Sequence, residues 1–234
     1  MNKMLWICSA FFLLLPTMAF AQCCAAGNPL SGDATAFGLP KNNLRISASF
    51  RHSYSDKFFF EDQFYQQNFV ENSRYNFTSL QTIYGISDKW AAGAEMGYFI
   101  DKSQASLVPY PNTLSANGLG DLLLFSRYRI MKKVKPIEDL SVMAGVKIPI
   151  GAFDVSDDGV RVPVSLQPSS GAMKFQLSFS FMHQKPGSKF SYFTQAFGEI
   201  SAAINSDFFQ YHYGPLAYLI FSPGYRFWGK WQFN

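Results

Sequence analysis

The sequence predicts an all-β fold, an antiparallel transmembrane β-barrel of the outer-membrane type. Three observations point there: apolar and polar residues alternate along segments of about a dozen residues, connections alternate long and short, and an export leader opens the chain. The chain has 234 residues, 48% hydrophobic, 18% aromatic and only 15% charged, which excludes a disordered or collagen-like chain. Its mean hydropathy is −0.02. After the first 21 residues no apolar run reaches the length of about 18 that a helical span needs, so a helical membrane bundle is excluded as well. With 20 basic and 16 acidic residues the net charge is +4, too small and too scattered for nucleic acid, so no nucleic-acid partner is expected.

The leader is read first. Lys3 gives a basic start, Leu5 to Phe20 is apolar with Pro16 near its end, and Ala19-Phe20-Ala21 has the A-x-A form of a cleavage site. Residues 1–21 are therefore expected to be a signal peptide, 22–42 a periplasmic N-terminal segment and 43–234 the barrel. Cys8 lies in the leader, which leaves the vicinal pair Cys23-Cys24. Two thiols cannot make a disulfide framework. The pair reads as an N-terminal stub carrying two exposed thiols, with an intermolecular redox handle or a metal or haem ligand as the alternatives; no His or other Cys stands nearby to complete a site. A lipoprotein box would need a small residue where Gln22 stands.

From Asn43 onward the strand period of two takes over. Leu44, Ile46, Ala48, Phe50, His52 and Tyr54 share one face, against Arg45, Ser47, Ser49, Arg51 and Ser53 on the other. The pattern returns with Leu140, Val142, Ala144, Val146, Ile148 and Ile150 against Ser141, Met143, Gly145 and Lys147. It returns again with Met173, Phe175, Leu177, Phe179 and Phe181 against Lys174, Gln176, Ser178 and Ser180. Eight strands are predicted, at 43–55, 74–87, 90–101, 118–131, 139–150, 171–184, 189–201 and 214–227. Alternation alone also fits a soluble sandwich. Length separates the two: soluble strands have about 5 or 6 residues, whereas tilted bilayer-crossing strands need about 9 to 11.

The connections add direction. Long ones at 56–73, 102–117, 151–170 and 202–213 alternate with short ones at 88–89, 132–138, 185–188 and 228–230, as in barrels with extracellular loops and tight periplasmic turns. The N-terminus is then periplasmic and the Phe-rich loop after Tyr54 faces outward, as an external contact, an inward plug or a hydrophobic mouth. Trp90, Tyr54, Tyr98, Tyr128, Tyr225, Phe227 and Trp228 sit near strand ends, where an aromatic girdle is expected.

Three stretches resemble a known family. Gly118 to Ile130, GLGDLLLFSRYRI, looks like the G-x-G-D-L strand opening of the outer-membrane barrels of the MetA-pathway of phenol degradation family. Asp139 to Asp154, DLSVMAGVKIPIGAFD, is similar to its strand ending in a Pro-x-Gly corner. Gln167 to Phe175, QPSSGAMKF, resembles its approach to the next strand, with Pro168 and Ser169 departing from the pattern. The resemblance implies a barrel that passes small hydrophobic or aromatic compounds, loosely related to porin-like and fatty-acid-transporter-like barrels, without catalytic residues or a cofactor. Outer-membrane lipid, the solute and the barrel-assembly machinery are the expected partners. Trp231-Gln232-Phe233-Asn234 after the last turn reads as the stub of a ninth strand, so a fragment of a larger barrel is expected, because single-chain bacterial barrels have even strand numbers.

If the apolar faces meet lipid, the lumen receives Arg45, Arg51, Glu95, Asp121, Arg127, Arg129, Lys147, Lys174, Gln195, Glu199 and Arg226, with bases in excess. Such residues either set a field that favours anions or polarisable solutes, or pair with one another and fill a narrow barrel. Gly118 and Gly120 with Asp121 read either as a ligand cradle at the outer mouth or as a bulge with Asp121 capping or pairing a lumen arginine. An enzyme would need a nucleophile and base in reach. The histidines His52, His183 and His212 are dispersed, no G-x-S-x-G elbow is present, and Ser206 and Asp207 beside His212 form no specific frame, so no enzyme is expected. A surface-binding or structural barrel is the main alternative to a conduit.

Overall fold

The computed structural model describes residues 39–57, 59–60, 63–64, 70–106, 112–134, 137–205 and 210–225. Eight strands form one sheet: β1 (Leu44–Ser55), β2 (Val70–Gly85), β3 (Trp90–Ser106), β4 (Asn112–Val134), β5 (Ile137–Ile148), β6 (Lys174–Gln184), β7 (Phe190–Ser201) and β8 (Leu216–Tyr225). Each pairs antiparallel with its neighbour in the chain, so the sheet is an up-and-down meander curled into a half-barrel. Three two-residue hairpins and a 3-10 turn at Val164–Leu166 decorate the connections, and no α-helix occurs among the described residues.

The curl has a local origin. Register shifts interrupt β2–β3 at Asn76/Phe77, β3–β4 at Met96/Tyr98 and Phe99/Lys102, and β4–β5 at Arg129/Met131. Each extra residue bends its strand and increases the right-handed twist. Glycines then let side chains lie flat on the inner wall. A Cβ on Gly97 would collide with the Phe77 ring, and one on Gly93 with the Phe125 ring. An aromatic ring thus covers the backbone where a strand glycine leaves it bare.

Burial is inverted relative to a water-soluble sheet. Along β6 Lys174, Gln176 and Ser178 are 5%, 7% and 4% exposed, whereas Phe175, Leu177 and Phe179 are 50%, 48% and 48% exposed. The polar face is concave and covered, and the apolar face is convex and bare, as it also is at Leu44, Ile46 and Phe50 of β1 and at Leu219 and Phe221 of β8. A bare apolar belt on a sheet with a polar interior is what hydrocarbon solvation selects.

Two expectations are corrected. Residues 102–117 are not a long loop: β3 continues to Ser106 and β4 begins at Asn112, and Lys102–Ser106 pairs with Asn112–Ala116. Backbone pairing continues there without apolar alternation, because the segment stands beyond the apolar belt and the 149–173 connection packs on it. β2 likewise begins at Val70 rather than near residue 74. Phe59–Phe60 pairs with Gln63–Phe64 in the Phe-rich loop. The leader, Cys23-Cys24, Phe227, Trp228 and the ninth-strand stub lie outside the described residues.

Candidate functional site: the concave face

Period two brings the inward residues of successive strands into lateral rows. One row runs Ser47, Gln81, Glu95, Leu123, Lys147, Lys174 and Ser201 across β1 to β7. Lys147 and Lys174 are direct cross-strand partners. Like charges placed so close repel. Glu199, one row nearer the short turns, relieves the repulsion: its carboxylate lies 2.9 Å from Lys147 Nζ and 3.8 Å from Lys174 Nζ and accepts a 2.6 Å bond from Gln176 Nε2. Lys174 Nζ also stands 4.2 Å from the centre of the Tyr213 ring, a cation–π contact. In the same row Gln81 Nε2 donates to Glu95 Oε2 at 2.8 Å.

Toward the short turns the interior is held by arginines. Arg127 donates to Ser141 Oγ at 3.0 Å, and Ser141 donates to Asp139 at 2.6 Å. Arg129 Nε lies 3.0 Å from Asp139 Oδ2, an ionic contact off the line of a hydrogen bond, and its Nη1 donates to the Asp88 carbonyl at 2.7 Å. Arg129 thereby ties the 86–89 turn to the inner wall.

Beside this polar track lies an inward apolar lining that the alternation rule did not anticipate. Tyr75, Phe77 and Phe99 form one buried cluster; Leu39, Ile83, Ala91, Leu123 and Phe125 with Met143 form another. Phe77 and Phe99 rings are 4.7 Å apart. The consecutive Leu122, Leu123, Leu124 and Phe125 put apolar groups on both faces, so the sequence pattern alone cannot say which face meets lipid. The glycines opposite were the available signal.

The long connection 149–173 folds against the inner wall. It contains several of the most covered side chains among the described residues, Leu166 and Ser169 at 1% exposure and Val162 and Gln167 at 2%. Gln167 organises it internally, accepting from Val155 N–H at 2.9 Å and donating to the carbonyls of Val155 and Val162. Side chains from β3, β4 and the connection before β8 then clamp it. Asp121 Oδ1 accepts from Ser169 Oγ at 2.7 Å and Ser170 N–H at 2.9 Å; Lys102 Nζ donates to the Gln167 carbonyl at 3.0 Å; Tyr213 Oη donates to the Ser170 carbonyl at 2.9 Å. Pro168 packs over Gly118, whose φ of +142° favours glycine. Gly118 lies at a register shift of β3–β4 and takes Pro168 in close approach, and Asp121 accepts a backbone N–H, as in the bulge-and-cap reading; its partners are loop serines, and among the described residues it has no arginine contact.

The family described as Putative MetA-pathway of phenol degradation matches residues 62–234. The chain belongs to this family. Among solved structures, the crystal structure of the COG4313 outer membrane channel from Pseudomonas putida F1 is similar, with a TM-score of 0.55 at 16% identity, over 75% of this chain and 61% of that one. This family member therefore spans about 61% of the length of the channel it matches, and shares its barrel fold. No curated protein matches.

Of the eleven predicted lumen residues, Arg127, Arg129, Lys174, Gln195 and Glu199 are buried and Arg45, Arg51, Glu95, Asp121 and Lys147 are partly covered; Arg226 lies outside the described residues. Lys147, Lys174 and Glu199 come together, whereas Asp121 belongs to the loop clamp. The histidines stay apart: His52 bonds Asn76, His183 contacts Glu138 at 3.2 Å and stacks on Tyr192, and His212 bonds the Ser201 carbonyl. Ser206 and Asp207 lie outside the described residues.

Proposed function

We propose that these eight strands form part of a closed outer-membrane barrel that lets small hydrophobic or aromatic solutes pass passively. The observation that carries this reading is the inverted burial along β6, a polar interior beneath a bare apolar exterior. Residues 1–21 serve as the export leader, and the short turns face the periplasm. An apolar lining of Phe77, Phe99, Leu123 and Phe125 beside a track of Ser, Gln and Lys suits a molecule with an aromatic ring and one polar substituent. The family description, which names phenol degradation, supports the same solute class. Arg45, Arg51, Glu95, Arg127, Arg129, Lys147, Lys174, Gln195, Glu199 and Arg226 line the path, and movement along it is binding and diffusion without energy coupling in this chain. The 149–173 connection narrows it.

The test is planar-bilayer conductance of the full-length product refolded in detergent. Stable ion-permeable steps, with aromatic solutes entering proteoliposomes faster than control vesicles, are the expected result. A folded, heat-modifiable barrel that neither conducts nor admits solute overturns the conduit and leaves a surface-binding barrel.

A further inference from the structure

The two rims of the apolar belt differ in charge. At the short-turn rim Lys41, Lys89, Lys132, Lys133, Lys185 and Lys189 are all exposed, and the described acids there are Asp88, Glu138 and Asp139, the last standing opposite Lys132 and ion-paired with Arg129. Glu138 is already engaged, 2.8 Å from Lys133 Nζ and 3.2 Å from His183. At the other rim Asp56, Glu71, Asp154 and Asp158 are exposed, beside exposed Lys57 and Arg74 and with Asp154 paired to Arg161, so the acids there stand among bases while the short-turn rim is mainly cationic. The lysines come from the segment before β1, the last residues of β4 and two turns, so they follow the rim instead of clustering at one spot.

Just inside this rim stand aromatic pairs: Trp90 with Tyr128, and Phe190 with Tyr225, each with ring centres 4.7 Å apart. Trp90 is 49% and Phe190 67% exposed. Rings at that depth mark the headgroup boundary of a bilayer, and long lysine stems carry their ammonium groups outward from it to phosphate level.

We infer that the short-turn rim is a binding surface for anionic phospholipid headgroups, with the rim lysines as the phosphate-contacting groups. This rests on the outer-membrane placement proposed above and is independent of conduction. A ring of cations fixes the barrel's depth and direction, because the phosphate plane attracts this rim more than the other. Each lysine near an anionic lipid surface strengthens partitioning by about fivefold, and salt weakens the effect.

The full-length chain, refolded in a neutral detergent, would be titrated with phosphatidylglycerol or phosphatidylcholine while thermal unfolding is followed by the heat-modifiable gel shift. Phosphatidylglycerol is expected to raise the unfolding temperature at low salt, phosphatidylcholine much less. The combined variant Lys89→Gln, Lys132→Gln, Lys185→Gln, Lys189→Gln is expected to lose at least tenfold in apparent affinity, and the corresponding four-arginine variant to keep it. Equal responses to the two lipids, or an unaffected glutamine variant, overturn the inference while the barrel stands. Lipid A phosphates preferred through the same lysines would place this rim in the opposite leaflet and also overturn it. A chain that forms no detergent-stable barrel fails the outer-membrane placement, and the inference with it.

Discussion

Asp121 shows how a single side chain can set the shape of the interior. One carboxylate oxygen accepts from both Ser169 and Ser170, and it does so from the wall strand β4. A hydrogen bond to a charged group contributes about 1.5 to 3 kcal/mol, and Asp121→Ala removes two at once. The expected outcome is a looser 149–173 connection, seen as faster tryptic cleavage after Arg161 in the folded protein and a larger unit conductance. Ser169→Ala should produce a smaller change in the same direction, and the double variant little more than Asp121→Ala alone, because the two side chains share the bond. Additive effects, or unchanged cleavage, would show that Asp121 does not clamp the connection. Nothing in the order of residues around GLGD distinguishes a clamp from a ligand cradle. The partners stand 48 and 49 positions away and are brought in by a fold in a long connection.

At the scale of the element, the strands were legible wherever one face is wholly polar. β6 alternates cleanly and β1 nearly so, and their predicted faces match the convex and concave sides, whereas β5 is half-buried along most of its length and turns Met143 inward. Periodicity makes β3 and β4 too short, because hydrophobic alternation stops at the edge of the apolar belt while backbone pairing continues past it. The inward aromatic clusters escaped for a related reason. An apolar residue can satisfy either face of a strand, and the choice depends on whether the neighbouring strand offers a glycine. The belt itself makes a clean test. Phe179 is mid-strand in β6 and 48% exposed, so in a bilayer it meets hydrocarbon. Phe179→Arg should destabilise the barrel in vesicles by about 2 to 4 kcal/mol, the cost of a cationic side chain near the bilayer midplane. Phe179→Leu should stay within about 1.5 kcal/mol, since it keeps an apolar surface. Urea unfolding in lipid vesicles measures both; if arginine and leucine behave alike, the convex face does not meet lipid.

For the molecule as a whole, the balance of charge on the concave face decides what a conduit would favour. Among the described residues Arg45, Arg51, Lys102, Arg127, Arg129, Lys147 and Lys174 point inward against Glu95, Asp121, Asp139 and Glu199. A low-dielectric wall with excess cations raises the local concentration of anions and slows cations. The sharpest element of this field is the Lys147–Lys174 cross-strand pair with Glu199 beside it. Under a salt gradient the reversal potential should therefore carry the sign of anion preference. Glu199→Gln keeps the Gln176 side of the site polar while removing one negative charge, and should move the reversal potential further toward anions. Lys147→Met with Lys174→Met should move it the other way, and Lys132→Gln with Lys133→Gln should leave it nearly unchanged. The last pair lies at the short-turn rim, exposed to solvent, where salt at physiological strength screens charge beyond about 8 Å. If the rim variant shifts selectivity as much as the interior ones do, the ion path is not lined by the concave face. If Glu199→Gln moves the potential toward cations, the two lysines are engaged elsewhere and the field of the interior is set by the arginines nearer the short turns.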